Sequence, residues 1–368
     1  MTQKWNILPS APADLFNSFP DHHRAVLQLL YNRGLPSSKE EEDRIKEIKE
    51  FLHPELEQLY DPYRLQDMEA AVEKVIGTIK EKKKILIYGD YDADGITSCA
   101  LLYSVLGKLN ADVRVYIPDR VSEGYSLNKE AVDRFWGEGM DLIITVDNGI
   151  RNREEIEHAK QAGMEVIVTD HHIPDENDLP DCLILNPHLS REEYPCTYLA
   201  GVGVAAKLMQ ALVEKTTLSR EDKDKLIKSS LDLVAVGTVA DCVPLLDENR
   251  VLVKKGVDIL NNTKRRGLRS LVEVSGLNNG KELQAWNIGF QLAPRLNAAG
   301  RIGRVKDAVD LLLSKQDKEA ADFSAILDQK NAERQQLTED IVNSIKRDIE
   351  TGSIDTQGVI AAVNHHPN

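Results

Sequence analysis

Five short apolar runs, separated by amphipathic stretches, govern what residues 84 to 187 of this chain can become. The runs are ILIY (85–88), VRVYI (113–117), LIITV (142–146), VIVT (166–169) and LILN (183–186). Helical spacing fills the earlier gaps, at 96–108, 128–137 and 153–162. Runs too short for buried helices, alternating with helical patterns, predict strands joined by right-handed crossovers. The expected class is therefore α/β, with a mostly parallel sheet covered by helices on both faces.

The flanks read differently. Residues 1–80 predict a helical amino-terminal region, and 81–245 the α/β domain. A basic helical region at 246–315 completes that lobe, 316–352 forms a long connecting helix, and 353–368 begins a further domain. Leu199–Val213 predicts a helix. LDLVAVGTVADCVPLL (231–246) is apolar nearly all round, so it is buried, but its periodicity fits helix and strand equally. In the long helix Phe323, Ile326, Leu327, Leu337, Ile341 and Ile345 mark a narrow apolar stripe, interrupted by Lys330 and Arg334. After Gly352, GVIAAV opens what reads as another strand.

Among 368 residues no apolar run approaches the ~18 that a membrane span requires, and the opening MTQKWNILPSAPADL is not a secretory leader. The reading is a soluble, cytoplasmic, monomeric protein with no membrane partner. Cys99, Cys182, Cys196 and Cys242 are scattered, with no CxxC pair, which predicts reduced and mostly buried thiols and no thiolate zinc site. The net charge of −14 argues against a polyanionic partner, yet between Arg250 and Lys306 twelve Lys or Arg stand against three acids. An acidic chain with one basic window can hold a phosphate backbone locally.

Three acidic or histidine clusters directly follow three of the strands. ILIY runs into GDYDADG (89–95), LIITV into Asp147-Asn148-Gly149, and VIVT into Asp170-His171-His172. The carboxyl ends of parallel strands share one edge, so clusters distant in sequence converge in space. Crowded carboxylates are unfavourable unless cations neutralise them. Carboxylate with imidazole and no thiolate suits Mn²⁺ or Mg²⁺, with Zn²⁺ and Co²⁺ open on affinity. The ligands exceed the needs of one ion and predict two, ~3.5–4 Å apart and sharing a carboxylate, as in in-line displacement at phosphorus.

Other patterns compete for these letters. DYDADG (90–95) matches the start of a calcium loop, but its twelfth position is Leu101 where a bidentate Glu is needed. DADGIT (92–97) resembles a haloacid-dehalogenase nucleophile motif, a reading that leaves both histidines unused. GVGVAA (201–206) matches a dinucleotide fingerprint, but TYLA before it is no first strand; close helix packing or a ligand-facing turn suits it better. Asp21-His22-His23 follows no strand and reads as a helix start with surface histidines. Taken singly, Asp92, Asp94 and Asp147 suit turns and His171 a satisfied core histidine; taken together after three strands, they point to a metal site.

GDYDADGIT, TVDNGI, TDHH and GTVADCVPL, in that order, resemble the successive motifs of the DHH phosphoesterase superfamily. More narrowly, FLHPELEQLYDPYRLQDMEAA, YIPDRVSEGYSLN, LAGVGVA and QLAPRLNAAGRIG are similar to the RecJ single-stranded-DNA exonuclease family, over roughly residues 5 to 345. The resemblance implies metal ligation by Asp92, Asp94, Asp147, His171 and Asp241. It sets His172 beside the scissile phosphate as donor or proton relay, with Asp170 orienting its neighbours. It implies nucleotide and phosphate contacts by Arg120, Tyr125, Arg295, Asn297 and Arg301, the last three inside the basic window. Thr97 and Ser98 are expected to present backbone amides to a phosphate. The chain departs from the superfamily at Tyr88, where many members carry His. The family also continues past the long helix into a second domain, so the chain resembles a catalytic core.

The implied activity is 5′ to 3′ hydrolysis of single-stranded DNA to mononucleotides in repair and recombination. The implied cofactors are two Mn²⁺, with Mg²⁺ as the alternative. Single-stranded DNA is the implied partner, with a single-strand-binding protein and a recombination helicase as further ones. A phosphodiesterase or phosphatase acting on short oligonucleotides or nucleotides, and a weakly active DNA-binding fragment, remain open. Aromatic content of 5% predicts few base-stacking platforms.

Overall fold

A computed structural model describes residues 6–38, 40–120, 122–278 and 280–351. The strand expected at GVIAAV lies outside them. The chain divides into two compact units, Met1–Leu59 and Tyr60 onward.

In the first unit, helices α1 (Ala13–Ser18), α2 (Arg24–Asn32) and α3 (Glu41–Leu52) enclose Leu15, Phe19, Leu27, Leu30 and Ile48. His23 caps α2 by accepting the Ala25 amide, 3.2 Å away, which fits a helix-start role for the early Asp-His-His.

The second unit opens with α4 (Met68–Lys80). The sequence grouped α4 with the amino-terminal region, but its buried stripe, Met68, Ala71, Val72 and Val75, belongs to this unit, where α4 packs on β1, β5 and α8. The following elements are β1 (Lys84–Gly89), α5 (Ala93–Lys108), β2 (Asp112–Tyr116), α6 (Lys129–Gly137) and β3 (Leu142–Val146). Then come α7 (Arg153–Gln161), β4 (Glu165–Thr169), β5 (Leu183–Leu185), α8 (Gly201–Glu214), α9 (Arg220–Ala240) and α10 (Asp247–Leu260). The remainder is α11 (Arg266–Val274), a short turn α12 (Ala285–Asn287) leading into a π-turn (Ile288–Leu292), α13 (Ala293–Ile302), α14 (Val305–Leu313) and α15 (Asp317–Glu350).

The five strands form one sheet in the order β2-β1-β3-β4-β5, every neighbouring pair parallel. β3 is buried at all five positions, as a central parallel strand must be. One face carries α6 and α7 over a core that includes Leu86, Tyr88, Val132, Phe135, Ile143 and Val168. α4, α5 and α8 contact strands of the same sheet, and α9 and α10 stack beyond α5 and α8. The ambiguous apolar run therefore resolves as helix as far as Ala240: this second half of α9 lies between other helices and needs no polar face.

The register decides where the chemistry falls. Gly89 pairs with Val146, Val146 with Thr169, and Thr169 with Leu185. Strands aligned to the residue release Asp90, Asp147 and Asp170 side by side. β1 and β3 are also where the chain order reverses, since β2 lies on the far side of β1, and ligands of open α/β sheets bind at such a switch point.

α15 packs on α11, α13 and α14 through Ala320, Ser324, Leu327 and Asn331, a stripe at 4-3-4 spacing confined to its first half. The expected stripe through Phe323 and Ile326 is displaced, and Ile326 is exposed. Small side chains at the contact let the helices approach closely, and Ser324 Oγ lies 2.7 Å from Ser270 Oγ.

A buried ion pair ties the third layer to the chain entering the unit. Lys207 on α8 and Glu248 on α10 are 2% and 0% exposed and bonded to each other. Glu248 also accepts from the Tyr60 amide (2.8 Å) and the Tyr194 hydroxyl (2.6 Å), while Lys207 donates to the Tyr60 carbonyl. Removing one partner strands the other charge in the interior. Lys207→Met is predicted to cost about 3–5 kcal/mol, whereas Lys207→Met with Glu248→Leu recovers much of the loss. Urea unfolding checks both, and a neutral single substitution would refute the account.

Candidate metal centre

The site assembles at the carboxyl rim of β1, β3 and β4. Asp92 is the N-cap of α5; its Oδ1 accepts from the amides of Asp94 (2.9 Å) and Gly95 (3.1 Å). Asp147 follows β3 with φ +61°, a left-handed conformation that aspartate adopts more readily than most non-glycine residues. His171 brings its Nε2 3.1 Å from Asp147 Oδ1, 3.7 Å from Asp241 Oδ2 and 4.0 Å from Asp94 Oδ2. Asp241 arrives from a different layer, as the C-cap of α9.

Two helices close on the rim at glycines. The α8 amides of Gly201 and Val202, donors unsatisfied within their own helix, bond Asp94 Oδ2 and Oδ1 at 2.7 and 2.8 Å. A β-carbon at Gly201 would fall 2.6 Å from Asp147 Cβ, and one at Gly237 on α9 would fall 2.3 Å from Thr97 Oγ1. GVGVAA thus serves close helix packing against the site, and its amides address a protein carboxylate.

The ligand-capable atoms group as Asp90, Asp92 and Asp147, as Asp94, His171 and Asp241, and as Asp147, His171 and His172. Within each group they lie inside 4.8 Å of one another. Asp90 is the acid that sequence reasoning passed over. It is 5% exposed, and its Oδ1 has no hydrogen-bond partner among the described residues. Its position immediately after β1, in register with Asp147 after β3, was the available signal.

Electrostatics fit a cation site. Burial, reinforced by Asp92, pushes the Asp90 carboxyl up to about 7. Burial and neighbouring carboxylates likewise raise Asp94, Asp147 and Asp241. Burial pushes the His171 imidazole down, toward the neutral form a metal ligand needs. Hard oxygen donors with one imidazole, several carboxylates pushed toward protonation and an orphaned buried carboxylate oxygen fit divalent ions of the Mn²⁺ or Mg²⁺ type.

Asp170 behaves differently. Burial opposes its ionisation, but the hydrogen bond and charge of His172 and the amides it accepts hold its carboxyl below the usual range. Its Oδ2 accepts from the Ile150 amide (3.0 Å), and its Oδ1 accepts from His172 Nδ1 (2.7 Å), which raises the imidazole. Tyr88 is occupied elsewhere: its hydroxyl donates to the Ser126 carbonyl and accepts from Asn128 Nδ2, within the sheet core.

The expected substrate contacts separate into two sets. Tyr125, about half exposed, packs edge-on to His172 and to Tyr91, and the Arg120 guanidinium lies 5.0 Å over the Tyr91 ring. Arg301 is exposed near Tyr91. By contrast Arg295 is engaged by Asp328 on α15 (2.8 Å) and the Gln291 carbonyl, and Asn297 Oδ1 accepts the Ala93 amide (2.7 Å). Both position helices around the site. Thr97 and Ser98 do not present amides: they are buried a turn inside α5, where amides bond within the helix, and the first-turn amides are taken by Asn297 and Asp92.

The DHH family, N-terminal domain, matches residues 84–238. The single-stranded-DNA-specific exonuclease RecJ of Bacillus subtilis (strain 168) is 41% identical over 338 residues, covering 92% of this chain and 41% of that protein. A crystal structure of exonuclease RecJ bound to manganese superposes with a TM-score of 0.70 at 37% identity, covering 78% of this chain and 71% of that one. RecJ from Thermus thermophilus in complex with Mn²⁺ gives 0.77 at 33% identity, over 93% and 47%. The chain spans about half the length of the curated relatives it matches. With the matched segment carrying every rim residue from Asp90 to His172, and a manganese-bound relative sharing its fold over most of the relative's solved length, this chain belongs to the RecJ exonuclease family of the DHH superfamily.

Proposed function

We propose that this chain hydrolyses phosphodiester bonds of single-stranded DNA from the 5′ end, releasing mononucleotides, with two divalent ions held at the rim, Mn²⁺ first and Mg²⁺ as the alternative. The observation that carries the reading is the convergence of five carboxylates and an imidazole from four separate segments on one small volume. Asp90, Asp92 and Asp147 suit one ion, and Asp94, His171 and Asp241 the other, with Asp147 beside both groups. When bound, such ions supply Lewis-acid activation of water and of the phosphoryl oxygens.

The side chains around them divide the remaining work. Asp170 accepts the Nδ1–H of His172 and so leaves Nε2 facing the substrate: as imidazolium it donates to a phosphate oxygen or to the departing 3′-oxygen, and as the neutral ring it accepts a proton. Arg120, held over Tyr91, offers a fixed cation at the rim, and Arg301 an exposed one; both suit a 5′-phosphate. The stacked, exposed pair Trp286, on α12, and Phe290, on the π-turn that packs against α9, offers unpaired bases a platform, which favours a single strand. The implied protein partners, a single-strand-binding protein and a helicase, remain part of this proposal through the family alone.

Asp147→Ala is predicted to abolish Mn²⁺-dependent nucleotide release while the protein still unfolds cooperatively; retained activity would remove the site. His172→Ala, sparing the ion ligands, should lower kcat by about 10²–10⁴, and wild-type kcat would rule out a proton-transfer role. On a length series of 5′-phosphorylated DNA, release should proceed along long strands, whereas activity confined to dimers would favour a short-oligonucleotide phosphodiesterase.

The raised carboxylates make a signed pH prediction. Each binds a proton in the folded chain at a pH where the unfolded chain has lost it, so the metal-free protein loses stability as pH rises from about 4 through about 7. Divalent ions reverse this and expel the protons. With Mn²⁺ about 100-fold above its Kd, stabilisation should reach about 2.7 kcal/mol at pH 8 and shrink toward pH 5.5. Calorimetry at pH 6–7 in buffers of different protonation enthalpy should show net proton release, and zero release contradicts the assignment.

A further inference from the structure

The basic window between Arg250 and Lys306 is divided by the fold between opposite ends of the second unit. Arg295 and Arg301 sit on α13, toward the rim. Lys264 and Arg265 lie at the start of α11, next to Lys108, the last residue of α5. α5 begins at the rim, with Asp94 in its first turn, and its rise puts Lys108 about 21 Å farther along the axis. At that far end two adjoining depressions, about 1070 and 590 Å³, share Lys108, Lys264 and Arg265 and so form one groove.

Five exposed lysines border it: Lys108 from α5, Lys225 and Lys228 one turn apart on α9, Lys264 before α11, and Lys315 before α15. None makes an ion pair or hydrogen bond with another described residue. The acids present are largely committed. Asp224 pairs with Arg220, and Asp232 is buried beneath Thr263, whose hydroxyl it accepts at 2.6 Å; Glu221 and Asp112 remain at the margin. Arg265 is half-buried, and its Nε makes no hydrogen bond although Asp232 lies 3.5 Å away. The cations already oppose one another: burial, then Arg265 and Lys225, hold the Lys108 ammonium below its usual range.

From this geometry we infer that the groove at the amino end of the sheet is a second binding site for a nucleic-acid strand, gripping its phosphodiester backbone about 21 Å from the metal centre. Crowded unpaired ammonium groups lose their mutual repulsion when a polyanion lies among them, and the counterions it releases drive binding. A nucleic-acid backbone presents a regular line of charges with condensed counterions to release, which suits cations spread along a groove, whereas the carboxylates of a folded acidic protein form no such line. The groove is too long for one phosphate. It holds no exposed stacked aromatic pair among the described residues, so it grips backbone and reads no sequence. α15 begins beside it, with Asp317 on Arg266 and Arg269, and runs toward α13, leaving the groove open among the described residues.

The inference rests on the nucleic-acid reading above, and its test separates the two. In the triple variant Lys225→Gln, Lys228→Gln, Lys264→Gln, affinity for a labelled single strand of about 30 nucleotides, measured in EDTA, should fall about tenfold. The slope of log affinity against log salt should shrink by about two, from three lost contacts at about 0.7 each. Metal-dependent cleavage of a 5′-phosphorylated dinucleotide, too short to reach from the rim to the groove, should be unchanged. Unaltered long-strand affinity in a variant that melts like wild type overturns the groove, as does a matching loss on the dinucleotide. Binding of polyglutamate that the triple variant loses, with DNA affinity intact, overturns it in favour of an acidic protein. Should wild type cleave neither strand while the affinity loss persists, the groove stands and the catalytic reading falls.

Discussion

Repulsion between carboxylates that the backbone forces together is the constraint around which this molecule is arranged. Register between β1, β3 and β4 leaves Asp90, Asp147 and Asp170 no freedom to separate. The protein answers the charge unevenly. Asp94 receives two amides from α8, Asp92 two from α5, and Asp170 the Nδ1–H of His172, but one Asp90 oxygen receives nothing from the described residues. The remaining deficit is what divalent cations remove, and it accompanies the push of Asp90, Asp94, Asp147 and Asp241 toward protonation, which Asp170 escapes.

The same rim shows how local helix chemistry becomes tertiary function. Free amides at a helix start normally find a cap or water. At α8 they find a carboxylate more than one hundred residues away, and that contact fixes the orientation of both the helix and the acid. α9 contributes from its opposite end, where Asp241 closes the helix and meets His171. A sheet edge alone thus supplies half of a site; the helices stacked behind α5 supply the rest.

Short apolar runs alternating with helical patterning made the parallel sheet legible, and the positions of acids after strands made its rim legible. What escaped has physical reasons. Asp241 ends a helix, so no strand-end argument reaches it, and only the family resemblance pointed to it. Asp90 looks like any turn residue until register places it opposite Asp147. Arg295 and Asn297 carry the letters of phosphate ligands, but sequence does not show that Asp328 and the Ala93 amide are already within reach. The first unit ends near residue 59, earlier than the expected 80, because α4 has an apolar stripe and nothing in the stripe says which partner it meets.

Gly201 and Gly237 give the metal centre a mechanical character. With no β-carbon at either position, α8 and α9 press directly on Asp147, Asp94 and Thr97, leaving little slack in the cage walls. A stiff cage discriminates by bond length. It accommodates the short oxygen bonds of Mg²⁺, about 2.0–2.1 Å, more readily than those of Ca²⁺, about 2.3–2.6 Å, which prefers a yielding shell of more ligands. Selectivity against the larger cation would then originate in two absent methyl groups on helices that supply no ligand at those positions.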